Sequence, residues 1–188
     1  MTGSPARRAA VLVPGQAYST DGALLMYPGL AVERRNGYAH RLSWAVPEFA
    51  DDDHECAWVV GQVTAAIDAT AAAARVAAPV VIGKSLASLA APVIADRGLM
   101  AIWLTPILTH EPTVTALRAA QGPCLLVGGT ADPVWDGRTA RLVTPYVLEV
   151  EDADHGMLVP GALSASAEVL GQVITAVEDF LDRVAWPH

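Results

Sequence analysis

The sequence is short of charge, of aromatic side chains and of cysteine. Of its 188 residues only 17% are charged and 6% aromatic, and the net charge of −8 is offset by no basic run. Such a chain repels phosphate backbones and anionic lipid, so neither nucleic acid nor a membrane is an expected partner. Cys56 and Cys124 lack any redox or metal spacing and sit in apolar surroundings, which reads as two free, buried thiols. His54-Glu55-Cys56 has no second histidine to complete H-E-x-x-H, and Pro123-Cys124 is not followed by the second cysteine of a zinc deaminase. No metal and no cofactor are therefore expected. No internal repeat, linker or membrane-spanning run is evident. The polar, proline-bearing residues 1–8 and the brief apolar run 9–13 do not make a signal peptide, so the cytoplasm is the expected compartment.

What is abundant is hydrophobic sequence, at 53%, enough for one domain over residues 1–188 with a sizeable core. Strand-like runs occur at 9–13, 38–44, 79–82, 100–104, 124–127 and 146–150, with helical patterns filling most of the gaps. That alternation predicts six mostly parallel strands with helices on both faces. Val59, Val60, Val63 and Ile67 share one face of a helix expected over 55–74, with Asp51, Asp52 and Asp53 placed to favour its N-terminus. Val169, Leu170, Val173, Ile174, Val177, Phe180, Leu181 and Val184 form the stripe of a last helix, with Ser164 or Ser166 placed to cap it. Residues 114–120 read as a covering helix.

The most informative segment is Gly83-Lys84-Ser85-Leu86-Ala87, where a buried strand runs straight into a helical pattern carried by Leu86, Leu89, Ala90, Val93 and Ile94. Small residues two before and two after the serine permit a sharp turn that lifts its hydroxyl above the sheet, the G-x-S-x-G elbow with Ala87 in place of the last glycine. Gly83-Lys84-Ser85 also ends like a P-loop, but the first glycine of that motif is here Ala78 and no loop precedes Gly83 to cradle phosphate. Lys84 is expected to point to solvent, with tuning of an anionic substrate or of a neighbour's pKa as the alternative.

Two further residues complete a pattern. Asp132 follows the strand Leu125-Leu126-Val127 after Gly128-Gly129-Thr130-Ala131, on a loop at the strand's carboxyl end. His155, beside Gly156, follows the final strand and precedes the final helix. Asp136, four residues on, is the rival carboxylate but is better placed to start the next helix, and His40, His54, His110 and His188 read as ordinary solvated histidines. Serine, aspartate and histidine in that chain order, each just after a strand, is the order of the α/β-hydrolase triad.

On Gly83-Lys84-Ser85-Leu86-Ala87, Gly128-Gly129-Thr130-Ala131-Asp132-Pro133, Asp154-His155-Gly156 and Val13-Pro14-Gly15-Gln16, the chain resembles a small member of the α/β-hydrolase superfamily. Its nearest likeness is to dienelactone-hydrolase-like enzymes and short serine esterases. The resemblance implies Ser85 as nucleophile, His155 as base and Asp132 as its orienting acid, with oxyanion donors from the backbone of Leu86 and of Gln16 or Ala17. Pro14-Gly15 stands where the family often has His-Gly, and the N-terminal strands of larger relatives are missing, which implies a minimal sheet. Residues 105–123 leave little for a cap, so an open site is expected, lined by Tyr18, Pro106, Ile107, Trp135 and Met157, the alternative being a cover supplied by dimerisation or by residues 45–54. Tyr18 and Trp135 read equally well as packing aromatics, and Trp44 as core or rim. The expected function is a serine hydrolase acting on a carboxylic ester or thioester of a small substrate, with a homo-oligomer compatible. A cyclase, lyase or acyl transferase on the same fold, or a binding protein with a silent triad, are the alternatives.

Overall fold

The computed structural model describes residues 7–187. His188 lies outside them. Six strands, β1 (Ala9–Val13), β2 (Tyr38–Arg41), β3 (Val80–Lys84), β4 (Ala101–Leu104), β5 (Cys124–Gly129) and β6 (Val147–Val150), form one sheet in the order β2-β1-β3-β4-β5-β6. Every pairing is parallel. The helices between them are α1 (Ala23–Arg34), α2 (Asp52–Ala74), α3 (Ala91–Asp96), α4 (Glu111–Ala119), α5 (Gly137–Val143) and α6 (Leu163–Phe180).

The apolar strands are buried on both faces because alternate residues serve different cores. Val11, Val13, Val81, Ala101, Trp103 and Leu126 face one layer with Val59 and Val63 of α2, Ile94 of α3, Val114 of α4 and Ala140 of α5. Ala10, Leu12, Val80, Ile82, Ile102, Leu104 and Val127 face the other, with Leu25 and Val32 of α1 and Val169, Val173 and Val177 of α6. Parallel crossovers are right-handed, so the direction of travel along the sheet decides which face a helix covers. From β1 the chain steps outward to β2 through α1, then turns back to β3 and moves steadily on to β6, which puts α2 to α5 on the opposite face. The reversal leaves a crevice at the carboxyl ends of β1 and β3, the place where open α/β sheets bind ligands.

Several local expectations are corrected. The expected strand over 38–44 ends at Arg41: β2 is an edge strand, half-exposed, and after the amide of Leu42 bonds to Leu12 the chain leaves the sheet. Ser85 does not enter an α-helix directly but a 3-10 helix, Ser85–Ala90, whose tighter turn brings Leu86 and Ala87 down onto the sheet before α3 begins. Helix α2 starts at Asp52, with the Asp51 carboxylate accepting the His54 amide at 3.0 Å. It is long and apolar enough to cross a membrane, against the expectation of no such run, but it lies on the sheet through Val59, Val63, Ala66 and Ile67. Neither serine caps α6. Ala162 stands at that position, and the Ser166 hydroxyl accepts the Val159 amide at 3.1 Å and so pins the preceding loop.

Candidate active site

The carboxyl end of β3 delivers Ser85 on a strained turn, with φ of 52° in the left-handed region that side chains other than glycine avoid. Packing explains the small residues around it. A Cβ on Gly83 would stand 2.8 Å from the Ala87 Cβ and from the Trp103 ring, so the strand and the 3-10 helix close on each other only with glycine at 83 and a small residue at 87. Gly15, on the loop after β1, packs where a Cβ would lie 3.6 Å from the Ser85 Cβ, which brings that loop against the elbow. Ser88, the other serine nearby, is buried, and its Oγ accepts the Ile107 amide at 3.0 Å.

Asp132 is delivered by β5 on a side chain with no exposed surface. The glycine pair before it permits close approach rather than unusual torsions: a Cβ on Gly128 would overlap the Trp135 ring, and one on Gly129 the Ala153 backbone. One carboxylate oxygen accepts the Val134 amide at 3.0 Å, and the other lies 2.8 Å from Nδ1 of His155. His155 is carried on a compact loop after β6 in which the Asp154 carboxylate accepts the amides of Gly156 and Leu158. Its Nε2 lies 2.8 Å from Ser85 Oγ. The structure thus brings the three residues into one hydrogen-bonded chain, with the imidazole 40% exposed at its centre. Asp136 caps α5 instead, accepting the amides of Arg138 and Thr139.

Ser85 and His155 open into a cavity of about 320 Å³ lined also by Gly15, Gln16, Ala17, Tyr18, Lys84 and Gly156. Leu86 is buried beside it in the first turn of the 3-10 helix, where backbone amides have no earlier carbonyl to bond. Of the five side chains expected to line the site, Tyr18 does. The others are placed elsewhere. Pro106 is buried, Ile107 packs against the α2 to α5 core, and Trp135 is held below the site on Gly128 by its N–H bond to Glu149 at 2.8 Å. Met157 is buried and faces a separate apolar cavity with Leu24, Leu158 and Leu163. Trp44 packs against the core and donates to the Gly15 carbonyl at 3.0 Å, steadying the loop from below. Of the cysteines, Cys124 is buried and Cys56 only half-buried. His40 and His110 are likewise engaged, with Thr70 and Thr113.

The largest correction concerns Lys84. It is 3% exposed, not solvated. Its Nζ donates to Thr105 Oγ1 and to the backbone carbonyl of His155, each at 3.0 Å, and lies 4.9 Å from the centre of the Tyr18 ring. Burial pulls its pKa down to about 8, against the opposing charges of Asp132 and Asp154. One signal was in the sequence: Lys84 is the only lysine of the chain. Among the described residues, no cluster of histidine, cysteine or carboxylate side chains has metal-site geometry.

No family model matches the sequence, and no curated protein does. Solved structures do match in shape. A protein of unknown function from Agrobacterium tumefaciens, described as an alpha/beta hydrolase, superposes with a TM-score of 0.70 at 13% identity over 99% of this chain and 91% of its own. A serine hydrolase without lid from Xanthomonas campestris gives 0.66 at 13% identity, over 95% and 85%. A cold-adapted esterase from an Arctic intertidal metagenomic library gives 0.63 at 16%, over 94% and 84%. The chain has the α/β-hydrolase fold. Within that fold it is a minimal form, in which residues 105–123 supply α4 and no cap.

Proposed function

We propose that the protein is a serine hydrolase that cleaves a carboxylic ester or thioester of a small substrate. The observation that carries this reading is the continuous chain from Ser85 through His155 to Asp132, both links 2.8 Å, at the floor of an open cavity. A serine hydroxyl alone is a weak nucleophile. Neutral His155 takes its proton through Nε2 as Oγ attacks the carbonyl carbon, while Asp132 keeps the other ring proton on Nδ1 and stabilises the imidazolium. The backbone amide of Leu86, with that of Gln16 or Ala17 from the facing loop, receives the negative charge that develops on the carbonyl oxygen, at about 3 kcal/mol per donor. The imidazolium then protonates the leaving alcohol or thiol. Water, deprotonated by the same ring, releases the acid and restores Ser85. The exposed position of Gln16 and Ala17 and the absence of a cap support short acyl groups over long ones.

The test is fluorophosphonate labelling together with a panel of p-nitrophenyl esters of increasing acyl length and matching thioesters. Wild type should label and turn over short esters, and Ser85→Ala should do neither while keeping its fold. Turnover in folded Ser85→Ala would remove the assignment, and an optimum at long acyl chains would remove the open-site reading.

A further inference from the structure

The lysine inside the elbow motif has a task that neither proton transfer nor oxyanion binding assigns to it. Lys84 is buried beside the cavity beneath the histidine loop, where its Nζ donates to the Thr105 hydroxyl and the His155 carbonyl and lies against the Tyr18 ring. Those partners come from the ends of three other strands. Thr105 directly follows β4 in a left-handed conformation with φ of 47°, His155 follows β6, and Tyr18 follows β1. Tyr18 is itself fixed, since its hydroxyl accepts the Leu24 amide at 2.8 Å and its ring covers Gly22, where a Cβ would overlap it. Two of the three ammonium donors are thus committed to protein oxygens and not to a substrate.

A buried ammonium without a carboxylate in direct contact is costly to the fold, and an apolar side chain of the same length would spare that cost. The return lies in where the two charged-donor bonds end. We propose that Lys84 is a positioning residue: by tying the His155 carbonyl to Thr105 and resting on the Tyr18 ring, it holds the histidine loop at the height from which the imidazole reaches both Ser85 and Asp132. This rests on the proposed hydrolase reading for its effect on rate, but its effect on the ring is structural and stands apart from turnover.

The bonds from Lys84 draw their strength from its charge. The charged or titratable groups that face it are Asp132 from the β5 loop, Asp154 and His155 from the β6 loop, and Tyr18 from the β1 loop. Because burial brings its pKa to about 8, the tie weakens as pH rises through that value. The catalytic rate should fall on the alkaline side with the same midpoint, while KM changes little, because the misplaced group is the base and not a substrate contact.

A single lysine makes this directly measurable. Protein labelled with 13C-lysine carries one lysine side-chain signal, whose titration can be set beside kcat for p-nitrophenyl acetate and beside the 15N and 1H signals of the His155 ring. In the wild type the ring signals and the alkaline fall of kcat should both follow the lysine midpoint. Lys84→Met should displace the ring signals, abolish that pH dependence and lower kcat about a hundredfold with KM within about threefold, the scale of a misplaced catalytic group. Lys84→Arg, which does not titrate in this range, should recover part of kcat and lose the alkaline fall. Ring signals that ignore the lysine titration in the wild type overturn the proposal whether or not the methionine variant folds and whether or not any ester is hydrolysed. Wild-type kcat in folded Lys84→Met overturns it as well. Failure of wild type to label with fluorophosphonate, with the ring signals still following Lys84, removes the hydrolase reading and leaves the tie in place.

Discussion

Replacing Asp132 by asparagine removes one charge and almost no volume, and the structure states what the amide must then do. One oxygen of the native carboxylate accepts the Val134 amide and the other faces His155 Nδ1, on a side chain with no exposed surface. Asparagine can satisfy only one of these neighbours with its carbonyl. If the carbonyl keeps Val134, the NH2 group faces the ring, Nδ1 must accept, and the proton moves to Nε2, where it blocks acceptance of the Ser85 proton. If the amide flips, Val134 is left opposite a second donor. The productive tautomer is thus disfavoured by about the cost of one unsatisfied buried donor, roughly 1 to 3 kcal/mol. In the proposed mechanism the imidazolium formed in the transition state also loses its buried counter-charge, a further loss of about 3 to 5 kcal/mol. Together these correspond to about three to six orders of magnitude in kcat, with KM nearly unchanged, since about 1.4 kcal/mol is tenfold. Stopped-flow hydrolysis of p-nitrophenyl acetate, with circular dichroism to verify the fold, reads the effect. A loss of less than about tenfold in the folded variant would refute the reasoning, and Asp136 and Asp154, already engaged with neighbouring amides, would have to be re-examined as the acid.

Three other outcomes follow from the packing and the charges. Gly83→Ala places a methyl group 2.8 Å from both Ala87 and the Trp103 ring and should cost about 1 to 3 kcal/mol, a fall in Tm of a few degrees by calorimetry; an unchanged Tm would contradict the close-packed elbow. Because folding lowers the Lys84 pKa to about 8, the unfolded chain holds more proton between that value and the ordinary lysine range, so this group's contribution to stability rises with pH across the window; the difference in unfolding free energy between wild type and Lys84→Met should show that rise, and a flat difference counts against the buried ammonium. Hydrogen bonds from Trp135 and Arg141 hold the Glu149 carboxylate below its usual range, so its contribution is complete above the ordinary glutamate pKa and lost as pH falls through the lowered one; Glu149→Gln should remove that acid-side loss from the Tm profile, and a parallel profile would show that the carboxylate is not coupled to folding.

Much of this architecture was readable along the chain because its determinants are local. β-branched runs such as Val80-Val81-Ile82 and the stripe Val169, Val173, Val177 identify strands and helices by period alone, and the order of Ser85, Asp132 and His155 among them follows from counting elements. Small residues at 83 and 87 also announced a sharp turn, though not the packing against Trp103 that requires the glycine, and the close approaches of Gly128 and Gly129 to Trp135 and Ala153 appear only in the structure. What the sequence could not show is direction. Trp135 and Met157 stand beside site residues in the chain, yet one turns under the sheet to reach Glu149 and the other into a separate apolar cavity, because their partners come from β6 and from α1 and α6. Helix α1 has only Gly22 at its N-cap, takes its first-turn bond from the Tyr18 hydroxyl on the preceding loop, and carries Pro28 within it, so packing of Leu24, Leu25 and Val32 on the sheet, and not a local sequence signal, makes it a helix. Lys84 is the clearest case. A lone lysine on a turn reads as a solvated charge from its own composition, and only the convergence of the β1, β4 and β6 ends encloses it, since its partners Thr105 and His155 lie 21 and 71 residues away. Backbone periodicity is a property of neighbours in sequence, whereas burial and hydrogen-bond partners are properties of neighbours in space, and the site's chemistry depends on the second.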